Sequence, residues 1–283
     1  MRDKSGNNTE CRAKGSFRKA GTSPLAGDYV SYKLQSDGTG FITEIMPRKN
    51  ALIRPAAANV DLLVIVAAAA SPNPDLFVLD KLTAVAAVNK IEVLIAVNKT
   101  DIQSADYLED IYLRAGIKTL AVCANNPDAC ADSLATIRNA MAQKITFFTG
   151  ASGVGKSSLI NALYPDLSLS TGEISRKISR GKHTTRCTEL FCVDKDTYIA
   201  DTPGFTSFDV SGFGMLSSDT LLGAFPDIER YAENCRYKKC THVCEDGCGV
   251  VCAVEEGNIS PSRHESYKTL FAELKEIKPW ESK

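Results

Sequence analysis

One segment constrains the fold of this chain more than any other. It reads Gly150-Ala151-Ser152-Gly153-Val154-Gly155-Lys156-Ser157 and fits the pattern G-x-x-x-x-G-K-[ST]. An apolar run, Ile145–Phe148, precedes it, and a helix-forming run, Ser158–Leu163, follows it. A strand, a glycine-rich turn and a helix in this order form a phosphate-binding loop, because backbone N–H groups and the helix N-terminus face the anion. We therefore expect Lys156 to reach the β- and γ-phosphates and the Ser157 hydroxyl to ligate Mg²⁺.

Further apolar runs indicate a parallel sheet around this loop. Runs that are buried on both faces are typical of parallel strands, and they occur here at 60–66, 93–97, 119–122, 145–148 and 198–200. Helical stretches are predicted between them at 76–89, 105–115 and 130–143, and an amphipathic helix is predicted near the C-terminus at 262–277. Alternating strands and helices predict an α/β domain.

A second motif, Asn98-Lys99-Thr100-Asp101, follows the 93–97 strand. We expect this motif to select the base. The Asp101 carboxylate can accept hydrogen bonds from N1–H and the exocyclic amine of guanine, a donor pair that adenine lacks. The Asn98 side chain is expected to form a hydrogen bond with the other edge of the purine and to tie the loop of this motif together. The aliphatic stem of Lys99 is expected to cover the face of the base. Cys123-Ala124 ends the next strand and is a weaker candidate to offer a backbone N–H to guanine O6.

The remaining nucleotide motifs follow the phosphate loop. In Asp201-Thr202-Pro203-Gly204, Asp201 is expected to hold Mg²⁺ through water and the Gly204 N–H to sense the γ-phosphate. The segment 181–185 lies between the phosphate loop and this motif. One of its threonines, Thr184 or Thr185, would close over Mg²⁺ and the γ-phosphate, and Thr185 is preferred. The usual GTPase order places N-K-x-D last, whereas here it comes first, so the set is circularly permuted.

These motifs resemble those of the circularly permuted ribosome-biogenesis GTPases of the RsgA (YjeQ) type. The resemblance covers nearly the whole chain and rests on 98–101, Gly150 to Ser158, 180–185, 201–205 and a cysteine cluster near the C-terminus. It implies an N-terminal OB-fold β-barrel, a circularly permuted P-loop GTPase domain and a helical zinc-binding domain. It also implies late maturation of the small ribosomal subunit, which stimulates GTP hydrolysis.

The position that carries the water-positioning group in many GTPases holds a different residue in this sequence. Many GTPases carry glutamine directly after D-x-x-G, but that position is Phe205 here. We expect His183 to orient the attacking water, since a neutral imidazole accepts a hydrogen bond; the alternative is that it contacts only RNA or the loop. Arg176, Arg180 and Arg186 are candidates for an arginine finger, for RNA contacts or for a solvated loop.

Five of the ten cysteines fall between Cys235 and Cys252, and such local excess points to a metal site. Cys235, Cys240, His242 and Cys248 supply three thiolates and one imidazole, the donor set of a closed structural zinc site. The cluster also contains Cys244 and Cys252, and these two are left out because the family pattern points to the other four residues. Cys244 in place of His242 or Cys248 is one alternative, and thiols without a metal are another. Five scattered cysteines are interpreted as core or surface residues: Cys11, Cys123, Cys130, Cys187 and Cys192.

The predicted domains are 1–57 for the barrel, 58–208 for the GTPase and 209–283 for the zinc domain. The first contains ten basic and five acidic residues in a chain of net charge −1, which favours a phosphate-binding surface over a merely solvated one. A hairpin of 29–34 and 41–45 is expected in it, with the usual first strand of the family truncated or missing. The sequence has no apolar run long enough for a membrane span and no secretion signal, so we expect a cytoplasmic monomer.

Three functions are consistent with these residues. The leading hypothesis is a GTPase that binds the small subunit and its rRNA and hydrolyses GTP to GDP and phosphate there, with one structural Zn²⁺ and with Mg²⁺ on the nucleotide. The second is a GTP-gated rRNA-binding module with negligible turnover, which Phe205 favours. The third, a P-loop kinase or ATPase, requires tolerance of adenine, and Asp101 argues against it.

Overall fold

The computed structural model describes residues 1–3, 5–15, 17, 22–52, 56–165, 188–201 and 216–276, with only the backbone of Asp201 included. The predicted switch residues at 181–185 and Gly204 lie outside these ranges. None of the described helices combines the length and apolarity that crossing a bilayer requires.

The N-terminal part of the chain forms two small sheets. One contains β1 (Cys11–Ala13), β2 (Val30–Leu34) and β3 (Gly40–Ile45), and the other pairs β4 (Ala51–Leu52) with β5 (Ala57–Ala58). The predicted hairpin is confirmed, since β2 and β3 are antiparallel. The closed barrel is not formed by the described residues. Here β1 lies parallel to β3 on the side away from β2, and three strands of three to six residues leave an open sheet.

A six-stranded sheet follows. Its strands are β6 (Leu62–Ala68), β7 (Glu92–Asn98), β8 (Lys118–Ala121), β9 (Ile145–Thr149), β10 (Glu189–Asp194) and β11 (Thr197–Asp201). Their spatial order is β10-β11-β9-β6-β7-β8. Every neighbouring pair is parallel except β10 with β11, where a short turn joins antiparallel strands. The predicted apolar runs thus form a parallel sheet with one antiparallel edge strand, β10, that the sequence did not reveal.

Helices cover both faces of this sheet. They are α1 (Leu76–Val88), α2 (Asp106–Arg114), α3 (Ala131–Met141) and α4 (Lys156–Leu163). Alternate residues of β6 point to opposite faces, so Leu63 and Ile65 join one apolar core and Leu62 and Val64 the other. All seven residues of β6 are buried, which explains why its sequence is a continuous apolar run.

The C-terminal part is helical, as the resemblance implied. It contains α5 (Pro226–Ala232), α6 (Gly249–Glu255) and α7 (Pro261–Glu276). The segment of α7 was predicted within one residue at each end, whereas α5 and α6 were not predicted from a Gly-, Ser- and Cys-rich region. Their apolar residues form a third core, and Ala84 of α1 belongs to it. The C-terminal part therefore packs on α1, one of the helices that cover the six-stranded sheet.

A buried arginine fixes this packing. Arg263 of α7 is 1% exposed, and its guanidinium donates two hydrogen bonds to Asp227 of α5, at 3.0 and 2.7 Å. It also donates to Asp80 and Thr83 of α1, at 2.9 and 3.0 Å. The hydroxyl of Tyr112 in α2 donates to the same Asp80 carboxylate at 3.1 Å. One side chain of the C-terminal part thus connects α5 with α1 and, through Asp80, with α2.

Candidate functional site

The carboxyl ends of four parallel strands bring the sequence motifs to one edge of the sheet. The phosphate loop follows β9, the N-K-T-D motif begins at the last residue of β7, the Cys123-Ala124 loop follows β8, and Asp201 is the last residue of β11. In open α/β sheets this edge is where ligands bind. The topology therefore gathers motifs that lie as far apart in the sequence as Asn98 and Asp201.

Two glycines of the phosphate loop are required by close contacts. Gly150 has φ +145°, and a Cβ there would lie 2.1 Å from the carbonyl oxygen of Val66 in β6. Gly155 has φ +95°, and its Cβ would lie 2.2 Å from Nδ2 of Asn98. Side chains at these positions would have to displace a strand backbone or a buried amide. The loop therefore packs against both β6 and the N-K-T-D motif.

Lys156, the first residue of α4, is held at the mouth of the loop. Its ammonium donates to the carbonyl oxygens of Gly150 at 2.7 Å and Ala151 at 2.9 Å. Burial lowers the pKa of Lys156, because a partly desolvated ammonium loses hydration. The ammonium lies beside the N-terminus of an eight-residue helix, so two sources of positive potential meet where a phosphate would bind.

Asn98 joins three loops of the site. Its Nδ2 donates to the carbonyl oxygen of Val154 in the phosphate loop at 2.9 Å. Its Oδ1 accepts from the backbone N–H of Ala124 at 3.0 Å. The side chain is buried at 3% exposure. The loop-tying part of the Asn98 prediction is therefore seen directly, and a base at this site would share the amide with the protein.

The rest of the N-K-T-D motif is arranged around this amide. The Thr100 hydroxyl donates to the carbonyl oxygen of Val122 at 3.0 Å, which fastens the motif to the end of β8. Lys99, at φ +65°, donates from its ammonium to the carbonyl oxygen of Ser71 in the loop after β6. Asp101 is exposed. The carboxylate predicted to recognise guanine is thus accessible, while its neighbours in the motif are fixed to other loops.

Cys130 is a residue of this site that sequence reasoning missed. Its Sγ accepts a hydrogen bond from the Cys123 N–H at 3.2 Å and lies 3.5 Å from the Cys123 carbonyl oxygen, to which it donates. The 3₁₀ turn Pro127–Cys130 returns the chain to the loop and places the thiol there. The one feature of the sequence that could have pointed to Cys130 is its position seven residues after Cys123. The backbone N–H of Cys123 donates to Cys130 and that of Ala124 donates to Asn98, so two successive amides of the loop are fixed by bonds within the protein.

The predicted switch and catalytic residues cannot be placed beside these loops. His183, Thr184, Thr185 and Gly204 lie outside the described residues, as do Arg176, Arg180, Arg186 and Phe205. For Asp201 the backbone alone is described, at the end of β11. Because β11 is the parallel neighbour of β9, its end is adjacent to the strand end that carries the phosphate loop.

Four predicted metal ligands meet in the C-terminal part of the chain, residues 216–276, which is called the zinc region from here on. The ligand atoms of Cys235, Cys240, His242 and Cys248 all lie within 4.8 Å of one another. The sulfurs of Cys235 and Cys248 are 3.8 Å apart, and Nδ1 of His242 lies 3.4 and 3.7 Å from them. A regular tetrahedron with zinc–sulfur bonds of about 2.3 Å has sulfur–sulfur edges of about 3.8 Å. Donor set and spacing therefore fit Zn²⁺, and this cluster excludes Cys244, which is exposed.

Neighbouring groups hold these ligands in place. Burial raises the pKa of the Cys240 thiol to about 12, because a thiolate there lacks a compensating charge that a divalent cation would provide. The ring of His264 donates from Nε2 to the carbonyl oxygen of His242 at 2.7 Å. Glu245 accepts hydrogen bonds from the Thr241 hydroxyl and from three backbone N–H groups. The cluster is thus braced by a histidine and a glutamate that the spacing pattern did not reveal.

Two family models match this chain. Residues 45–211 match the RsgA GTPase family, and residues 3–42 match the RsgA N-terminal domain. A protein of Caldanaerobacter subterraneus subsp. tengcongensis named small ribosomal subunit biogenesis GTPase RsgA is 41% identical over 270 residues, which cover 94% of this chain and 89% of that protein. The Bacillus subtilis protein of the same name is 38% identical over 278 residues, 95% of this chain and 90% of that one.

Solved structures agree with these matches. The crystal structure of YjeQ from Thermotoga maritima superimposes with a TM-score of 0.79 at 30% identity, covering 96% of this chain and 92% of that one. The structure of YloQ, described as a circularly permuted GTPase, superimposes with a TM-score of 0.76 at 33% identity, covering 98% and 90%. The likeness therefore extends over nearly the full length of both chains.

Proposed function

The chain belongs to the RsgA GTPase family, and we propose that it hydrolyses GTP on the small ribosomal subunit during maturation of that subunit. It is a GTP hydrolase of small-subunit biogenesis. The observation that supports its chemistry best is the Asn98 amide, which bonds the phosphate loop and the Ala124 loop at once. Because Asn98 belongs to the base-recognising motif and is bonded to the phosphate loop, the two motifs are held at a fixed distance and are suited to bind the base and the phosphates of one nucleotide.

The bound nucleotide is proposed to contact four groups of residues. Asp101 accepts from the guanine edge and Lys99 covers the base. The Cys123-Ala124 loop lies on the O6 side, and a backbone N–H bond to O6 requires Ala124 to exchange or share its bond to Asn98. Backbone N–H groups of 150–158 and the Lys156 ammonium bind the phosphates, as at other helix N-termini. Ser157, Thr185 and Asp201 would hold Mg²⁺, which neutralises charge on the β- and γ-phosphates. Thr184 and the Gly204 N–H complete the proposed nucleotide site.

We propose His183 as the group that orients the attacking water. The residue after D-x-x-G is Phe205, whose side chain has no hydrogen-bonding group, so the acceptor must come from another segment. A neutral imidazole accepts a hydrogen bond from the water and leaves its oxygen free to attack the γ-phosphorus. The products are GDP and phosphate.

The zinc site is proposed to be structural. Cys235, Cys240, His242 and Cys248 supply four ligands, so no coordination position is left for a substrate. Bound Zn²⁺ contributes to the folding of a segment with few apolar residues. The same four residues fit the metal by distance and donor type.

The proposed domains are 1–57 for RNA contact, 58–208 for the nucleotide and 209–283 for zinc and subunit contact. Arg12, Lys14 and other basic residues of the first domain are suited to phosphate oxygens. We place the protein in the cytoplasm, where it meets the small subunit and its rRNA as a monomer.

The test is GTP turnover with and without purified small subunits, with large subunits as the control. Small subunits alone are expected to stimulate turnover strongly, and His183→Ala is expected to abolish that stimulation while GDP affinity stays unchanged. Tight GTP binding without stimulation would instead support a nucleotide-gated binding module. Stimulation that survives His183→Ala would exclude His183 as the water-orienting group.

A further inference from the structure

A basic and aromatic loop protrudes from the zinc cluster. It consists of Arg236, Tyr237, Lys238 and Lys239 and is called the zinc-loop platform here; it lies between the ligands Cys235 and Cys240. All four of its residues are exposed, and Tyr237 has half of its surface accessible. A large aromatic side chain beside three cations is therefore presented to solvent.

The backbone of this loop is ordered by its own contacts. The Cys240 N–H donates to the Tyr237 carbonyl oxygen at 3.2 Å, which closes a turn. The Arg236 N–H donates to the Gly247 carbonyl oxygen at 3.0 Å. A Cβ on Gly247 would lie 3.1 Å from that of Arg236, so the glycine leaves room for the arginine stem. The Arg236 guanidinium lies 5.5 Å from the Tyr237 ring centre. The platform is thus preorganised, with its tyrosine braced on one side.

The positive charge of the platform is not neutralised within the protein. Lys238 and Lys239 form no ion pair with any described residue, whereas Lys81 and Lys144 each pair with a glutamate. Among the described residues, Arg236 has one distant partner, Asp246, at 3.7 Å, and pairs this exposed contribute little. The nearby Glu245 carboxylate is already occupied by four hydrogen bonds. Two ammonium groups and a weakly paired guanidinium are therefore available to an external anion.

We propose that the zinc-loop platform binds single-stranded RNA, with one unpaired base stacked on Tyr237 and the adjacent phosphates paired with Lys238 and Lys239. The proposal rests on the proposed function and specifies one contact with the subunit. Stacking on an aromatic ring beside cations is how proteins bind single strands without reading sequence. The ammonium groups of the platform can bind the phosphates of such a strand, and the Tyr237 ring can stack on one of its exposed bases.

The experiment uses the full-length, zinc-loaded protein and a fluorescein-labelled single-stranded oligouridine, with affinity measured by anisotropy over a range of salt concentrations. We expect Tyr237→Ala to raise Kd about 10-fold and Tyr237→Phe to leave it unchanged. We expect Lys238→Ala/Lys239→Ala to raise Kd similarly and to reduce the slope of log K against log salt by about 1.4, since each of the two lost phosphate contacts contributes about 0.7 on a single strand.

The matched control replaces two lysines that are equally exposed and lie outside the zinc region. Lys118→Ala/Lys195→Ala removes the same charge from β8 and from the turn after β10, and it is expected to leave RNA affinity unchanged. Zinc content and GDP affinity of every variant report on folding. An equal loss in the control and the platform variants would show a net-charge effect and overturn the proposal.

Small subunits separate this proposal from the proposed function. Platform variants that bind oligouridine and small subunits like the parent would overturn the platform, even while the parent remains subunit-stimulated. Variants that lose subunit binding but keep oligouridine binding would also overturn it, since the partner would then be a protein. A parent chain that binds oligouridine through the platform but is not stimulated by subunits would refute the proposed function alone.

Discussion

Replacing Arg263 with methionine tests how the zinc region is attached to the GTPase sheet. Arg263 is buried, and its ion pairs with Asp80 and Asp227 involve carboxylates that are 0% and 2% exposed. The substitution keeps much of the side-chain volume but removes four hydrogen bonds and the only cation between two buried acids among the described residues. Both carboxylates then remain in the interior without a charge partner.

The expected loss of stability is about 3–5 kcal/mol at pH 7, the usual cost of removing one partner from a buried ion pair. At about 2–4 °C per kcal/mol for domains of this size, the midpoint of thermal unfolding falls by about 10 °C. The control is Lys268→Met on the same helix, which removes an exposed pair with Glu265 and is expected to cost less than about 0.5 kcal/mol.

The deficit is also expected to depend on pH. Burial already raises the pKa of Asp80 above its ordinary 3.8 with Arg263 present, and it raises that pKa further without the arginine. An acid whose folded pKa exceeds its unfolded pKa binds its proton first in the folded state, so acidification favours folding. The deficit of Arg263→Met is therefore largest at neutral pH and shrinks as pH falls through the folded pKa towards 3.8.

The assay is thermal and urea unfolding of the zinc-loaded protein between pH 4.5 and 7.5. Arg263→Met/Asp80→Asn is expected to recover part of the loss, because the amide needs no cation. A deficit below about 1 kcal/mol, or one that stays constant with pH, would refute the reasoning. So would a double variant less stable than Arg263→Met.

Three further results are expected. Asn98→Ala breaks the link between the phosphate loop and the Ala124 loop, and fluorescence titration should show GDP affinity about 10-fold lower or worse, since each lost bond leaves a buried group unpaired. Gly155→Ala puts a Cβ 2.2 Å from the Asn98 amide at φ +95°, so nucleotide binding should be lost while zinc content, measured by mass spectrometry, stays unchanged. Cys248→Ser should lower zinc content and loosen α6, which begins at the next residue, and proteolysis should then cut first in the zinc region.

The sequence predicted the nucleotide-binding half of the molecule closely. All residues of β6 (62–68) are buried, and so are the last five residues of β7 (92–98). Strands buried in this way require apolar residues in a continuous run, which is visible in the sequence without a structure. The phosphate loop and N-K-T-D motif were equally visible, because backbone geometry and base chemistry restrict which residues can stand there. The zinc ligands were visible because thiolates at short spacing have few other uses in such a chain.

Beyond the hairpin of β2 and β3, the N-terminal sheets were not predictable in the same way, and neither were helices α5 and α6. Short strands have weak patterns, and the barrel expected there depends on long-range pairing that a local pattern does not encode. Helices α5 and α6 have seven residues each and obtain their stability from packing against α1 and α7. Intrinsic propensity contributes little to helices of this length.

The sequence by itself predicted the chemistry: a phosphate loop, a carboxylate proposed to select guanine, and a Cys₃His metal set. The tertiary structure alone decided which side chains connect them. Cys130 was one scattered cysteine until the 3₁₀ turn brought it to the Cys123 amide. Arg263 was a charge on an amphipathic helix until it met Asp80, 183 residues away in sequence. Such contacts leave no local pattern, because the partners are chosen by the packing of distant elements and not by the spacing of neighbours.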